Sequence, residues 1–202
     1  MHCQHRAVRR LARRCASLAL TLLGLALASC ANTERPIETP PAFQTPMVGR
    51  PAPELDIREW VVDPGADHRT QEKLPLMLVF WNFTDPASRE AIEMTQSLAV
   101  PLRHRGLRVV LIHTDIGTEE KPRRGRVTEF LDEHGFMLPT AIDNGTATLR
   151  QFQLTDVPSM VFIDEASIIR GVVSNYRVSK NDVIAEFVRA NLLGMPPALP
   201  EM

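Results

Sequence analysis

Two polar side chains stand where a predicted buried strand at residues 74–83 gives way to a predicted helix. Asp85 and Ser88 follow that apolar run directly. Asp is a favoured N-cap residue and Pro86 suits the first helical position, so we expect Asp85 to accept a backbone N–H bond from Ala87 or Ser88. Its carboxylate then places a fixed negative charge at the positive end of the helix.

Nucleophilic catalysis by Ser88 needs a general base beside its hydroxyl. The candidates are His104, His113 and His134, but nothing in their spacing along the chain brings one of them to Ser88. We therefore expect a solvent-facing hydroxyl at Ser88. His113 lies in a predicted buried strand and is interpreted as a hydrogen-bonded core residue, and His134 as a helix C-terminal residue that the helix dipole favours.

Metal and cofactor sites are not indicated by the histidine pattern. His68, His104, His113 and His134 are the histidines beyond the first 29 residues, and they lack the paired spacing of a metal site. No metal or other cofactor is expected. The basic cluster at residues 121–126 follows Glu119 and Glu120, which favours a solvated loop over a site for an anion or a lipid headgroup.

The N-terminal 29 residues have the pattern of an export signal. Five arginines precede an apolar run at residues 16–28 that is too short for an ordinary membrane span. The run ends in Leu27-Ala28-Ser29-Cys30, which resembles the bacterial lipobox. The resemblance implies cleavage before Cys30 and acylation of its sulfur with lipid such as palmitate. The alternative is an ordinary cleaved signal that leaves Cys30 as an unmodified thiol.

The charge balance after cleavage excludes nucleic-acid binding as the leading function. The full chain has 23 basic and 24 acidic residues, and removal of five arginines leaves a net charge of −6. The membrane is expected to be contacted through the N-terminal lipid. Because Ala31 rather than Asp follows Cys30, resemblance to enterobacterial sorting rules points to the periplasmic face of the outer membrane if the host is Gram-negative.

The sequence divides into four segments. Residues 1–29 are the predicted lipoprotein signal peptide, and residues 30–47 are the lipidated Cys30 followed by a proline-rich tether. Residues 48–194 form one predicted domain, long enough to bury its own core. Residues 195–202 are a predicted C-terminal tail. The three cysteines, Cys3, Cys15 and Cys30, all precede the domain, so no disulfide is expected within it.

Within the domain, buried strands alternate with helices. Strands are predicted at residues 74–83, 107–113 and 136–142, with a hairpin at 160–173, and helices at 85–100, around 127–134, and around 149–152. A last helix, capped by Ser179 and Asp182, is expected to bury Val183, Ile184, Phe187 and Val188 and to end at Gly194. This order predicts an α/β domain whose central mixed sheet is flanked by helices on both faces.

Four local matches carry a resemblance to the thioredoxin-like superfamily, in particular to its membrane-tethered TlpA/ResA-like redoxin branch. They are the entry motif at residues 48–53, Phe80-Trp81 before the active turn, the segment at 157–164, and a weaker match at 136–143. The resemblance covers roughly residues 48–194. It implies a thioredoxin-like fold, and it places Asp85 and Ser88 at the positions of the two CxxC cysteines.

The resemblance also implies a binding surface. In the family, a loop with a cis-proline lies opposite the CxxC turn and hydrogen-bonds to extended substrate chain, so Pro158 is expected to be cis. The corresponding groove is formed by Thr84, Asp85, Pro86, Ala87, Ser88, Val157 and Pro158.

Without sulfur at either position, thiol-disulfide exchange has no nucleophile and no resolving group. The leading hypothesis is a non-catalytic module that binds a protein partner of the envelope. One alternative is a redoxin-type oxidoreductase that works with a partner's cysteine or with unlipidated Cys30. The other alternative is a structural spacer domain on the membrane.

Overall fold

The computed structural model describes Phe43 and residues 45–65, 73–116 and 123–195. All of them belong to the compact unit Glu38–Met202. The predicted leader, Cys30, most of the predicted tether and the end of the tail lie outside the described residues.

One mixed sheet of six strands organises the described residues. Its spatial order is β1-β4-β3-β2-β5-β6; β2, β3 and β4 run parallel, whereas β1, β5 and β6 pair antiparallel with their neighbours. The sheet confirms the predicted α/β class. The strands are β1 Ile57–Val62, β2 Leu76–Trp81, β3 Arg108–His113, β4 Thr140–Asp143, β5 Ser159–Ile163 and β6 Ile169–Val173.

Four α-helices accompany the sheet in the described part of the chain. They are α1 Pro86–Leu102, α2 Arg124–His134, α3 Ala147–Gln151 and α4 Asn181–Phe187, the last continued by a π-helical turn at Val188–Leu192. Short 3₁₀ turns lie at Arg103–Arg105 and Val178–Lys180. None of the helices described is long and apolar enough to cross a bilayer.

Helix α1 buries the face that its sequence period predicts. Ala91, Ile92, Thr95 and Leu98 are all buried, and the Thr95 hydroxyl donates to the Ala91 carbonyl at 2.7 Å, which satisfies a polar group inside the core. Helix α2 ends as predicted at Gly135, whose φ of 66° suits glycine. Both helices therefore follow from their local sequence.

The core lies on both faces of the sheet, as predicted. Successive side chains of a strand point to opposite faces, so Met77, Val79 and Trp81 of β2 join one apolar cluster while Leu78 and Phe80 join the other. The first cluster includes the buried faces of α1, α2 and α4, and the second includes residues of α3.

The core extends into residues on the tether side of the predicted boundary at residue 48. The Phe43 ring is 1% exposed and stacks on the Phe187 ring, with centroids 4.3 Å apart. Met47 is buried in the cluster on the other face. A single large aromatic residue among prolines gives little periodic signal, and Phe43 becomes part of the core because Phe162 of β5 and Phe187 of α4 offer rings to pack on.

Two further details differ from the expectations. The edge strand β1 was not predicted, because its sequence mixes apolar and charged residues without a clear period. Helix α4 begins at Asn181 without a side-chain cap, with Ser179 in the preceding 3₁₀ turn, so the predicted caps Ser179 and Asp182 are wrong. Val183 is 48% exposed rather than buried, whereas Ile184, Phe187 and Val188 are buried as predicted.

Candidate functional site

The candidate site lies at the sheet end where β2 stops and β5 starts. Phe80 pairs with Ser159 in the antiparallel ladder of these two strands. The chain that leaves β2 through Asn82 and the chain that enters β5 through Pro158 are therefore at the same end. The Val157-Pro158 peptide bond is cis, as the resemblance implied. We call residues 82–88 together with Val157-Pro158 the turn end.

Asn82 holds the turn end together from inside. Its side chain is buried, and its Nδ2 donates to the carbonyls of Thr114, at 2.9 Å, and Ile116, at 3.3 Å. Its Oδ1 accepts from the Thr84 backbone N–H at 2.9 Å and from the Thr84 hydroxyl at 2.8 Å. Sequence reasoning missed this residue, although an Asn that directly follows an apolar strand is typical of an Asx turn.

Asp85 is the N-cap of α1, as predicted. Its Oδ2 accepts from the Ser88 backbone N–H at 3.0 Å and from the Ser88 hydroxyl at 2.8 Å. The donor is Ser88 and not Ala87. Pro86 occupies the start of the helix, where its missing N–H costs nothing. A cap of this kind stabilises a helix by about 0.5–2 kcal/mol.

Ser88 does not face solvent, which corrects the expectation from its polarity. Its side chain is fully buried, because it precedes Ala91 and Ile92 by three and four residues and so shares the inner face of α1. Its hydroxyl donates to Asp85 and accepts from the Asn82 backbone N–H at 3.2 Å. Among the described residues, no imidazole hydrogen-bonds to it, so it has no histidine base, and the carboxylate that accepts its hydroxyl is the cap of the helix.

His113 lies under the turn end at the last position of β3. Its Nε2 accepts from the Phe83 backbone N–H at 3.4 Å, and its ring stacks on Phe83 and meets the Trp81 ring edge-on. Desolvation by burial lowers the pKa of His113 to about 4, with the charge of Arg58 as a second cause. The prediction of a hydrogen-bonded core histidine is confirmed, and the imidazole is neutral at pH 7.

A cation also packs on the Phe83 ring. The Arg126 guanidinium lies over the Phe83 ring, 5.6 Å from its centroid. This contact ties the first turn of α2 to the turn end. Of the predicted basic cluster at residues 121–126, the structure describes residues 123–126, and Arg124 to Arg126 belong to α2 rather than to a loop. His134 ends the same helix, as predicted, and its Nδ1 lies 2.9 Å from the Phe130 carbonyl oxygen.

The predicted groove residues differ in how far solvent reaches them. Thr84 and Pro86 are exposed, Asp85, Ala87 and Val157 are half-buried, and Ser88 and Pro158 are buried. The accessible chemistry is a carboxylate, a hydroxyl and backbone. In the part of the chain that the structure describes there is no cysteine, and no group of three or more His, Cys, Asp or Glu residues could hold a metal ion.

Solved structures of thiol-disulfide proteins share this arrangement of strands and helices. A Chlorobium tepidum protein assigned as the thiol:disulfide interchange protein DsbE has a TM-score of 0.59 at 17% identity, over 71% of this chain and 96% of that chain. A thiol-disulfide isomerase from Corynebacterium glutamicum has a TM-score of 0.61 at 19% identity, over 72% and 97%. The fold of this chain is thioredoxin-like.

A third similar structure, a secreted disulfide oxidoreductase from Mycobacterium tuberculosis, has a TM-score of 0.50 at 16% identity, over 60% of this chain and 85% of that chain. No family model matches the sequence, and no curated protein matches it. At these identities the likeness establishes the thioredoxin-like fold alone. What the turn end of this thioredoxin-like domain does has to be argued from its own residues.

Proposed function

We propose that this protein is a lipid-anchored component of the bacterial envelope whose thioredoxin-like domain has no redox cysteines and binds another protein non-covalently. The observation that carries the proposal is the Asp85–Ser88 pair. These two residues stand at the positions that the resemblance assigns to the CxxC cysteines, and their side chains are hydrogen-bonded to each other.

The pair is incompatible with dithiol chemistry. Exchange requires a thiolate that attacks and a second sulfur that resolves the mixed disulfide. A carboxylate and a hydroxyl form no disulfide, and here both are engaged in capping the helix and filling its inner face. The carboxylate of Asp85 keeps an anion at the helix N-terminus, where a reactive dithiol protein would hold its thiolate.

Backbone beside the cis-proline supports the binding role. The Pro158 carbonyl accepts from the Tyr176 N–H at 2.9 Å, but among the described backbone hydrogen bonds none uses Val157. Val157 is also half-exposed. An extended segment of a partner can pair with this backbone as an added strand, with the surface of Thr84, Asp85 and Ala87 on its other side.

The N-terminal sequence supports the proposed envelope location. The arginine-rich start, the short apolar run and the lipobox-like ending at Cys30 support export and lipidation. The structural likeness to a secreted oxidoreductase agrees with export of the domain. The proline-rich segment that follows Cys30 is the proposed tether between the lipid and the domain, whose first described core residue is Phe43. The periplasmic face of an outer membrane is the proposed site in a Gram-negative host.

The binding role is tested with a bulky side chain at the turn end. Ala87→Trp adds an indole on the half-buried first turn of α1, and Ala147→Trp is the matched control on the half-buried first turn of α3. Full-length chain with a photo-crosslinking residue at Thr84 is expressed in cells. Protein adducts that disappear in Ala87→Trp and persist in Ala147→Trp support the proposal. Adducts that are the same in both variants favour the spacer alternative.

The redoxin-type alternative is favoured by one observation, the resemblance of the fold to solved thiol-disulfide proteins. It needs sulfur from a partner or from Cys30. The intact mass of the mature protein decides the Cys30 version, because a diacylglyceryl adduct consumes that thiol. A mature chain with an unmodified Cys30 that forms mixed disulfides with other proteins would replace the binding proposal with this one.

A further inference from the structure

The end of α1 that lies farthest from Asp85 carries exposed apolar and basic side chains together. Val100, on the last turn of the helix, is 69% exposed. The 3₁₀ turn that follows, Arg103–Arg105, presents three exposed side chains, and Gly106 closes it with a φ of 87°. We call this region the basic end.

Met137 adjoins the same face of α1. Its backbone N–H donates to Gln96 Oε1 at 2.9 Å, and Gln96 Nε2 donates to the Gly135 carbonyl at 3.1 Å. Because Gln96 and Val100 are one helical turn apart on one face, Met137 adjoins the face of α1 that carries Val100. At 79% and 69%, they are the two most exposed large apolar residues of the described chain.

The basic side chains at this end have no acidic partner among the residues described. Lys73 is exposed and precedes Leu74 in the chain. The Leu74 Cδ2 atom lies 3.3 Å from the position that a Cβ atom on Gly106 would take. The described ion pairs include neither Lys73 nor Arg103 nor Arg105. Acidic residues lie nearby, on the last turn of α2 and, at Asp164 and Glu165, directly after β5, so the positive charge is local to Lys73 and residues 103–105.

The segment just before β1 also reaches this end of the sheet. The Gly49 N–H donates to the Ile169 carbonyl at 2.8 Å, at the start of β6. Ile169 pairs with Ile163, and Ile163 pairs with Leu76 at the start of β2. Arg108, which follows the basic end directly, begins β3 beside Leu76. Gly49 therefore lies at the same end of the sheet as the start of β3 and the basic end before it.

We propose that the basic end is a membrane-contact surface that fits a bilayer containing anionic phospholipid. The lysine and arginine side chains face the negative headgroups, and Val100 and Met137 enter the interface between headgroups and acyl chains. The net charge of −6 predicted for the mature chain does not prevent this, because charges beyond about 8 Å are screened at physiological salt. The turn end then points away from the membrane. This proposal does not depend on what the turn end binds.

Hydroxyl-radical footprinting of the full chain tests the surface. The chain is reconstituted into vesicles of phosphatidylcholine alone or with phosphatidylglycerol, and labelling is read by mass spectrometry at Met137 and Val100. Val178 and Val183, which are 51% and 48% exposed, are internal controls away from the basic end. We expect labelling of Met137 and Val100 to fall at least about threefold with phosphatidylglycerol only, and to recover at high salt.

Charge-reversal variants separate electrostatic contact from other causes. Arg103→Glu with Arg105→Glu should abolish the protection, whereas the control pair Arg123→Glu with Arg150→Glu, with the same change in net charge, should retain it. Equal labelling in the two vesicle types would overturn the proposal, and so would protection that survives reversal at the basic end. Protection in lipid-free detergent that rises with protein concentration would instead assign this face to a contact between copies of the chain.

Discussion

The two ends of α1 are built in opposite ways. At its start, Asn82, Asp85 and Ser88 bond to one another and to neighbouring backbone, so the polar groups are consumed within the protein. At its other end, Arg103 and Arg105 extend into solvent without an ion pair among the described residues. The comparison shows that, in this domain without cysteine, basic side chains open to solvent and without a described ion pair lie at the second end of α1.

The difference has a physical basis. A dithiol protein must leave its attacking sulfur accessible and ionisable at the helix N-terminus. Here the position that the resemblance assigns to the second cysteine holds a serine on the inner face of the helix, and the position that it assigns to the first holds the helix cap. The turn end is therefore the surface that we propose for recognition of a protein, and the opposite end the one that we propose for contact with a membrane. Four variants and one activity measurement test the two halves of this comparison.

The largest expected effect is on stability and comes from Phe43, the first described residue of the core. Phe43→Ala should lower the free energy of unfolding by about 3–5 kcal/mol, because it removes a fully buried ring that stacks on Phe187. Denaturant unfolding of the full chain measures it, with Thr45→Ala as the control. A cost below about 1 kcal/mol would show that Phe43 is not part of the core and belongs to the tether, as the sequence alone predicted.

Next comes the acid sensitivity of the turn end. His113 has a pKa of about 4 in the folded protein and an ordinary value of 6.5, so below pH 6.5 the unfolded chain takes up a proton that the folded protein does not. Stability therefore falls as the pH falls from 6.5 to 4, by about 3 kcal/mol from this residue. Denaturant titrations at several pH values should show a steeper decline in the wild type than in His113→Gln. Parallel declines would contradict the assignment.

Asn82→Ala should lower the free energy of unfolding by about 2 kcal/mol. It leaves the carbonyls of Thr114 and Ile116 and the Thr84 N–H without their partner. Thr84→Ala is the matched control: it removes one hydroxyl from an exposed residue and should cost less than about 1 kcal/mol. Thermal unfolding compares the two. Equal costs would mean that Asn82 does not organise the turn, and the account of a rigid turn end would fail.

The smallest effect is expected at the basic end. Reversing Arg103 and Arg105 to Glu should change the free energy of unfolding by no more than about 0.5 kcal/mol, because exposed charges without an ion pair contribute little to stability. The variant should therefore remain folded while it loses membrane contact. A loss of several kcal/mol would show that these arginines are structural, and the two ends would not differ in the way described.

Much of the fold could be predicted because its elements obey local rules. Apolar period predicts the buried runs of β2 and β3 and the inner face of α1, and glycine geometry predicts the end of α2 at Gly135. Each of these signals is contained in a single segment of the sequence. The cap at Asp85 is local in the same sense. The cis state of Pro158 came from resemblance and not from any local rule.

The remainder depended on contacts between distant segments. Phe43 joins the core through Phe162 and Phe187, and β1 is specified by its pairing with β4 rather than by a period of its own. Ser88 was expected to face solvent because it is polar, but its position on the helix buries it. Asn82 was missed because its four partners lie partly in the loop after β3, which no sequence period connects with β2.

The central claim is that this thioredoxin-like domain performs no thiol-disulfide exchange of its own. The direct measurement is the rate at which purified full-length protein accelerates the reduction of insulin disulfides by dithiothreitol, compared with the same protein carrying serine at Cys3, Cys15 and Cys30. The account predicts that both samples match the reagent alone. Turnover of either sample at a rate typical of dithiol enzymes would contradict it.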